Sequence, residues 1–268
     1  MKRKRKLLSL ISALAIPLIL SGCVNKKAEE KKLAKALEEE YGEEFIVVDS
    51  IVTGGHPIYG GPLEAICYPK SNQKLFFKAT FAGDYIYEDE YVEAIVREEA
   101  YAEMEEILSQ YYTDFFLDAD VMQPMIDYGE REKYPRFTNI SDVSIASYEE
   151  KYGEKMNMHF DVILSNEEIS NYDEIKQIFE EYTQNYDTAM LVFQCCLAPC
   201  DVIQEFQRFE KNDIWENFYM DAEINAKGIK DKCTYVFSNG EFYLYELWTE
   251  NSIQIFDING NNILESEE

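Results

Sequence analysis

Cys196-Leu197-Ala198-Pro199-Cys200 is the sharpest chemical pattern in the chain. It sits where a strand should give way to a helix, and a cysteine at a helix N-terminus has its thiolate favoured. Thiol–disulfide exchange would follow from that placement. The redox motif is C-x-x-C, however, one residue shorter than the spacing here, so the residues read as buried structural thiols of a central strand. Zinc binding is not expected, because no histidine lies near these cysteines and the pair spacings are wrong for a tetrahedral site. The two histidines, His56 beside Pro57 and His159 two residues before Asp161, belong to no recognisable constellation. G-x-S-x-G and H-E-x-x-H are absent, so serine hydrolase and zincin chemistry have no sequence support. Among 52 acidic residues some carboxylate pair always has glycosidase spacing, so that pattern carries no weight. Asp257-Ile258-Asn259-Gly260-Asn261 evokes a calcium loop, but its glycine is fourth rather than sixth and a hairpin turn accounts for it better. No cofactor, metal or catalytic residue is assigned.

The elements that would carry these residues read as α+β, in two halves that each combine a small antiparallel sheet with helices. In the first, Leu33, Leu37 and Tyr41 share a helical stripe closed by Gly42. Strands are expected at Phe45 to Thr53, Leu63 to Tyr68 and Leu75 to Phe81, the first two joined by the glycine-rich loop Gly54 to Pro62. That loop lacks G-x-x-x-x-G-K and reads as a connection rather than a phosphate cradle. Asp89 then caps an amphipathic helix with Val92, Val96, Ala100, Met104 and Leu108 on one face, expected to lie across this sheet. Pro124, Gly129 and Pro135 break all periodicity, which places a linker at 123–140 between halves at 23–122 and 141–268. Beyond it, Ser144 to Gly153 reads as a short helix and Met156 to Leu164 as a strand. A helix starting at Ser165 or Ser170 carries Ile175, Ile178, Phe179 and Tyr182. Ala189 to Ala198 has no polar face and reads as a central strand, so strand, helix, strand here gives one parallel pair. A further helix carries Val202, Phe206 and Phe209. Strands at Phe218 to Ile224, Cys233 to Phe237, Glu241 to Trp248 and Ile253 to Leu264 finish the chain, with hairpin turns at Asn239-Gly240 and Asn259-Gly260.

The cargo is preceded by an address. Lys2 to Lys6 supply five consecutive cations, Leu7 to Leu20 is largely apolar but short for a membrane span, and Leu20-Ser21-Gly22-Cys23 follows. This arrangement resembles the signal peptide and lipobox of bacterial lipoproteins. The resemblance implies cleavage ahead of Cys23, removal of residues 1–22, and a diacylglyceryl thioether on Cys23. It also implies residence on the outer face of the cell membrane, held by a palmitate-type lipid anchor. Tyr41-Gly42-Glu43-Glu44-Phe45 and the Pro69-Lys70 turn ahead of an aromatic strand are similar to uncharacterised surface lipoproteins of Gram-positive bacteria, a likeness that implies no activity and no site. The proline before Cys200 resembles thioredoxin-type sites, but the downstream proline of that family has no counterpart, since none follows Pro199.

Without the leader, 20 Lys and Arg face 52 Asp and Glu, a formal charge of −32. A surface so acidic excludes nucleic acid as a partner and favours a cationic surface protein or wall component. Lys26, Lys27, Lys31, Lys32 and Lys35 gather positive charge beside the anchor. Five cysteines remain after Cys23, an odd number that leaves at least one free thiol. Twenty tyrosines mostly fall on buried faces, with Tyr85, Tyr87 and Tyr91 and the run Phe242, Tyr243, Tyr245, Trp248 as the expected exceptions. Tyr85, Tyr87, Tyr243 and Trp248, ringed by Asp84, Glu88, Glu241 and Glu246, are the candidate contacts for a partner. The sequence thus points to a non-catalytic, extracytoplasmic binding or adaptor module. An extracytoplasmic enzyme acting on thiols or wall glycan is the alternative.

Overall fold

The computed structural model describes residues 26–53, 61–124, 126, 136–137, 139–169, 172–187, 189–209, 232–238, 240–249, 252–257 and 259–262. It is α+β, with a four-stranded antiparallel sheet and a six-stranded sheet that contains one parallel pair. Residues 1–25, where a signal peptide is expected, residues 54–60 with His56, and the strand expected at Phe218 to Ile224 lie outside the described residues. Among the described residues no helix is long and apolar enough to cross a membrane.

In the first unit, helix α1 (Lys26–Tyr41) buries Leu33 and Leu37 completely against strands β1 (Phe45–Val52), β2 (Leu63–Pro69), β3 (Phe77–Ala82) and β4 (Tyr85–Asp89). Gly42 ends the helix at φ +77°, a backbone that side-chain-bearing residues rarely adopt. The rings of Tyr41, Phe45, Phe77 and Tyr91 meet at centroid distances of 4.9–5.7 Å. Tyr91 is therefore core, against the expectation that it stands out of it, and its hydroxyl donates to Glu43. Lys26, Lys32 and Lys35 form ion pairs with acids of the same unit, Glu30 and Asp49, Glu29 and Asp84, and Glu39 respectively.

The second unit begins inside the next helix. By its contacts the chain divides between Tyr91 and Val92, not at 123–140. Helix α2 (Tyr91–Leu108) places Val96, Ala100, Met104 and Leu108 in the core of the six-stranded sheet, instead of across the first sheet. Strand β5 (Phe115–Met122) pairs with β6 (Asn157–Ser165) over its whole length, so the proline- and glycine-broken segment is an internal connection of this unit. The remaining strands are β7 (Met190–Ala198), β8 (Lys232–Ser238), β9 (Glu241–Thr249) and β10 (Ser252–Ile255), and the sheet order is β10-β9-β8-β7-β6-β5. The pair β6 and β7 is parallel, joined through helix α4 (Tyr172–Thr183) as the sequence pattern requires.

Helices α2, α3 (Ile145–Tyr152) and α4 share one apolar core with the sheet's inner face. Ser144 caps α3, its Oγ accepting from the Ser147 N–H while the Ser147 hydroxyl accepts from the Ser144 N–H. Tyr148, fully buried, donates to Glu93 at 2.8 Å, which gives a buried carboxylate the partner it needs. Phe193 stacks on both Phe160 and Phe179 at the centre. Helix α5 (Cys200–Phe209) covers part of the opposite face, setting Ile203 and Phe206 on Phe116, Ile163, Cys196 and Ala198.

Candidate functional site

A strand exposes alternate residues to alternate faces, so residues paired directly across strands share a face. Next to the apolar row under α5, that rule produces a polar row. Asp118 on β5 opposes Asp161 on β6, Asp161 opposes Gln194 on β7, Gln194 opposes Thr234 on β8, and Thr234 opposes Glu246 on β9. Five strands thus contribute one polar residue each to a continuous line. Gln194 and Thr234 are buried, and Asp161 is nearly so. The adjacent row holds Asp120 and His159, whose Nε2 lies 3.5 Å from the Asp161 carboxylate.

Two carboxyls set directly opposite one another cannot both ionise without cost. Burial, and then the like charge of Asp161, push the Asp118 carboxyl up to about 7, while Arg97 and the Ala119 N–H, which donates to Asp118 at 3.0 Å, act the other way. Near neutrality this row can hold a proton, release it, or accept a cationic group in its place. Among the described residues no group of three or more His, Cys, Asp or Glu is arranged to hold a metal ion. The sequence named His159 and Asp161 only as strand neighbours. The missing partner, Asp118, sits on a strand the sequence reading did not assign, although Leu117, Ala119 and Val121 alternate with two aspartates.

The other candidates separate. Cys196 is sealed under α5, and the half-buried Cys200 has its sulfur 3.2 Å from the Ser165 hydroxyl. Cys67 is the one cysteine among the described residues of the first unit, its thiol pushed up to about 12 by burial and by the Asp89 charge. Asp257 spends its carboxylate inside its own turn, accepting from the Asn259 and Asn261 N–H groups and the Asn261 side chain at 2.8–2.9 Å. Those bonds hold its carboxyl below the usual range and favour the hairpin over a calcium loop.

Of the four proposed contact aromatics, Tyr85 and Tyr87 are 60% and 65% exposed on β4, an edge strand of the first sheet. Asp84 and Glu88 flank them, and Lys32 reaches Asp84 at 3.1 Å. Tyr243 is half-buried on β9, and the side chain of Trp248 lies outside the described residues. Phe242 is no exception to core packing, since it lies against Phe193 and stacks on Tyr235. Cys23 lies outside the described residues as well.

The chain is similar to the crystal structure of a DUF5037 family protein from Ruminococcus gnavus, with a TM-score of 0.57 and 17% identity over 79% of this chain and 92% of that one. At that identity the likeness is one of fold. No family model matches the chain, and no curated protein matches it.

Proposed function

We propose that this chain is a lipid-anchored extracytoplasmic protein whose folded part is a non-catalytic binding module at the cell surface. The observation that carries the reading is Leu20-Ser21-Gly22-Cys23 directly after a cationic leader and a short apolar run. In the sequence Val24 and Asn25 stand between the proposed anchor at Cys23 and Lys26, from which helix α1 is described. Two acyl chains on Cys23 would hold stably where one holds only marginally. In cells making Cys23→Ala, we expect unprocessed precursor or protein shed into the medium. Mature variant recovered in the membrane fraction would overturn the anchor.

For the binding surface, exposed tyrosines on an edge strand offer both ring faces and unpaired backbone groups to an extended partner. The formal charge of −32 supplies long-range attraction for a cationic protein segment or wall component. Charge of this kind is screened within about 8 Å at physiological ionic strength, so the partner's on-rate should fall with salt while the aromatic contact persists. Tyr85→Ala with Tyr87→Ala should abolish capture of the partner from detergent-solubilised membranes. Stability should change by no more than about 0.5 kcal/mol, because both rings are exposed. Undiminished capture by the double variant would exclude this edge.

A hydrolase reading has one observation in its favour, the Asp118 carboxyl that keeps its proton up to about 7 beside Asp161. It would displace ours if the full-length protein cleaved wall glycan with an ionisation in that range that disappears in Asp118→Asn.

A further inference from the structure

Four of the five cysteines after Cys23 belong to the second unit, and register decides which of them meet. Cys195 and Cys196 are consecutive on β7 and therefore point to opposite faces. Cys196 goes under α5, and Cys195 goes into the main core. There it lies directly opposite Cys233 on the antiparallel strand β8, and the two thiols are in hydrogen-bonding contact. Both are completely buried and both are free thiols in this structure.

Residues directly opposed in an antiparallel pair have Cα atoms about 4.5–5.5 Å apart, inside the roughly 4.4–6.8 Å window a disulfide spans. That separation lets a disulfide span them. We infer that Cys195 and Cys233 close a cross-strand disulfide as the exported chain folds, leaving Cys67, Cys196 and Cys200 reduced. The inference rests on the extracytoplasmic reading above for its oxidising compartment.

The chemistry is exchange with a disulfide-bearing oxidant, either a protein or glutathione disulfide. One cysteine thiolate attacks an oxidant sulfur, forming a mixed disulfide and expelling one thiol. The second cysteine then displaces the other, so the oxidant leaves as two thiols that have taken up two electrons and the two protons. In the folded unit the thiols are sealed from any oxidant, and burial together with the neighbouring thiol holds the Cys195 proton on. Closure therefore precedes the seating of β8 on β7. The loop it ties includes α5, whose path from β7 to β8 would otherwise be free to wander in the unfolded chain.

The test is peptide mapping of the full-length protein, taken from membranes of the producing cell and denatured in alkylating reagent without reductant. A Cys195–Cys233 linked peptide, two hydrogens lighter than the separate pair, is the expected result. It should come with a melting temperature about 5–10 °C above that of the reduced protein. Both cysteines fully alkylated would overturn the inference for the cell. The same protein, unfolded and refolded in glutathione disulfide, then assigns the fault. Ready closure there means the register is right and the compartment wrong, which counts against the extracytoplasmic reading. No closure there means that the pairing itself is wrong. Cys233→Ala should leave Cys195 alkylated and no alternative linkage to Cys196 or Cys200, and a rearranged linkage in that variant would also count against the pairing.

Discussion

Phe193→Ala is expected to destabilise the second unit by about 3–5 kcal/mol. The ring is completely buried, stacked on Phe179 at 4.6 Å and on Phe160 at 5.3 Å, and it meets Tyr182 and Phe242 edge-on or tilted at 6.0 and 6.1 Å. Truncation removes the transfer free energy of the ring and leaves a cavity that its rigid aromatic neighbours cannot fill. Each lost ring pair adds roughly 0.5–1.5 kcal/mol to that. A domain is stable by only about 5–15 kcal/mol, so such a loss should lower the melting temperature by 10 °C or more. Phe193→Leu keeps most of the volume and should cost much less, near 1–2 kcal/mol. Should Phe193→Ala melt within 2–3 °C of the parent, β7 is not the centre of this core.

Asp118→Asn should act in the opposite direction, and only at the higher pH values. The unfolded carboxyl titrates near 3.8 and the folded one at about 7. A carboxyl raised on folding contributes stability that is complete below the unfolded value and is lost as pH rises through the folded one. The parent protein should therefore weaken relative to Asp118→Asn between pH 4 and 7 and stay weaker above. Allowing for solvent around a half-buried group, the gap should widen by about 2 kcal/mol from pH 5 to pH 8, or several degrees in melting temperature. Asparagine retains an oxygen to accept the Ala119 N–H, so the change tests charge alone. In Asp161→Asn the pH dependence should shrink, because the like charge opposite is gone. A stability difference that stays level across this range would mean that Asp118 ionises normally and that the polar row has no protonic character.

What could be read from the sequence was whatever a single element states about itself. Ala189 to Ala198 is apolar but for Gln194, and that near-continuous run marks a strand buried on both faces; Leu33 and Leu37, four apart, mark a buried helix stripe. Boundaries were less legible, because turn chemistry and domain division are different things. Pro124, Gly129 and Pro135 interrupt periodicity inside the second unit, while the division between Tyr91 and Val92 falls within a helix that no glycine or proline signals. Strand β4, five residues with three exposed, leaves too little buried surface to alternate visibly. The polar row could not be read at all. Asp118 and Glu246 are joined through four strand registers, and register is decided by pairing energies between segments far apart in sequence. The same is true of Cys195 and Cys233. A sequence shows the spacing of residues along a strand but not which residue stands across from it.

Sheet order in this protein is also chain order. Among the described residues β1 to β4 follow one another across the first sheet, and β5 to β10 across the second, with no strand inserted between earlier neighbours. On the reading proposed here the chain leaves the cell threaded from its N-terminus, unfolded, through a narrow conduit. Each strand as it emerges finds its partner already outside and waiting, and nothing already assembled has to reopen to admit it. Pairings between sequence neighbours also carry the smallest loop-closure cost and fold fastest. Such a topology lets assembly keep pace with delivery. The strand last to arrive is always the one left at the growing edge, so the interval in which an acidic, aromatic-rich chain presents unpaired backbone to its surroundings is kept short.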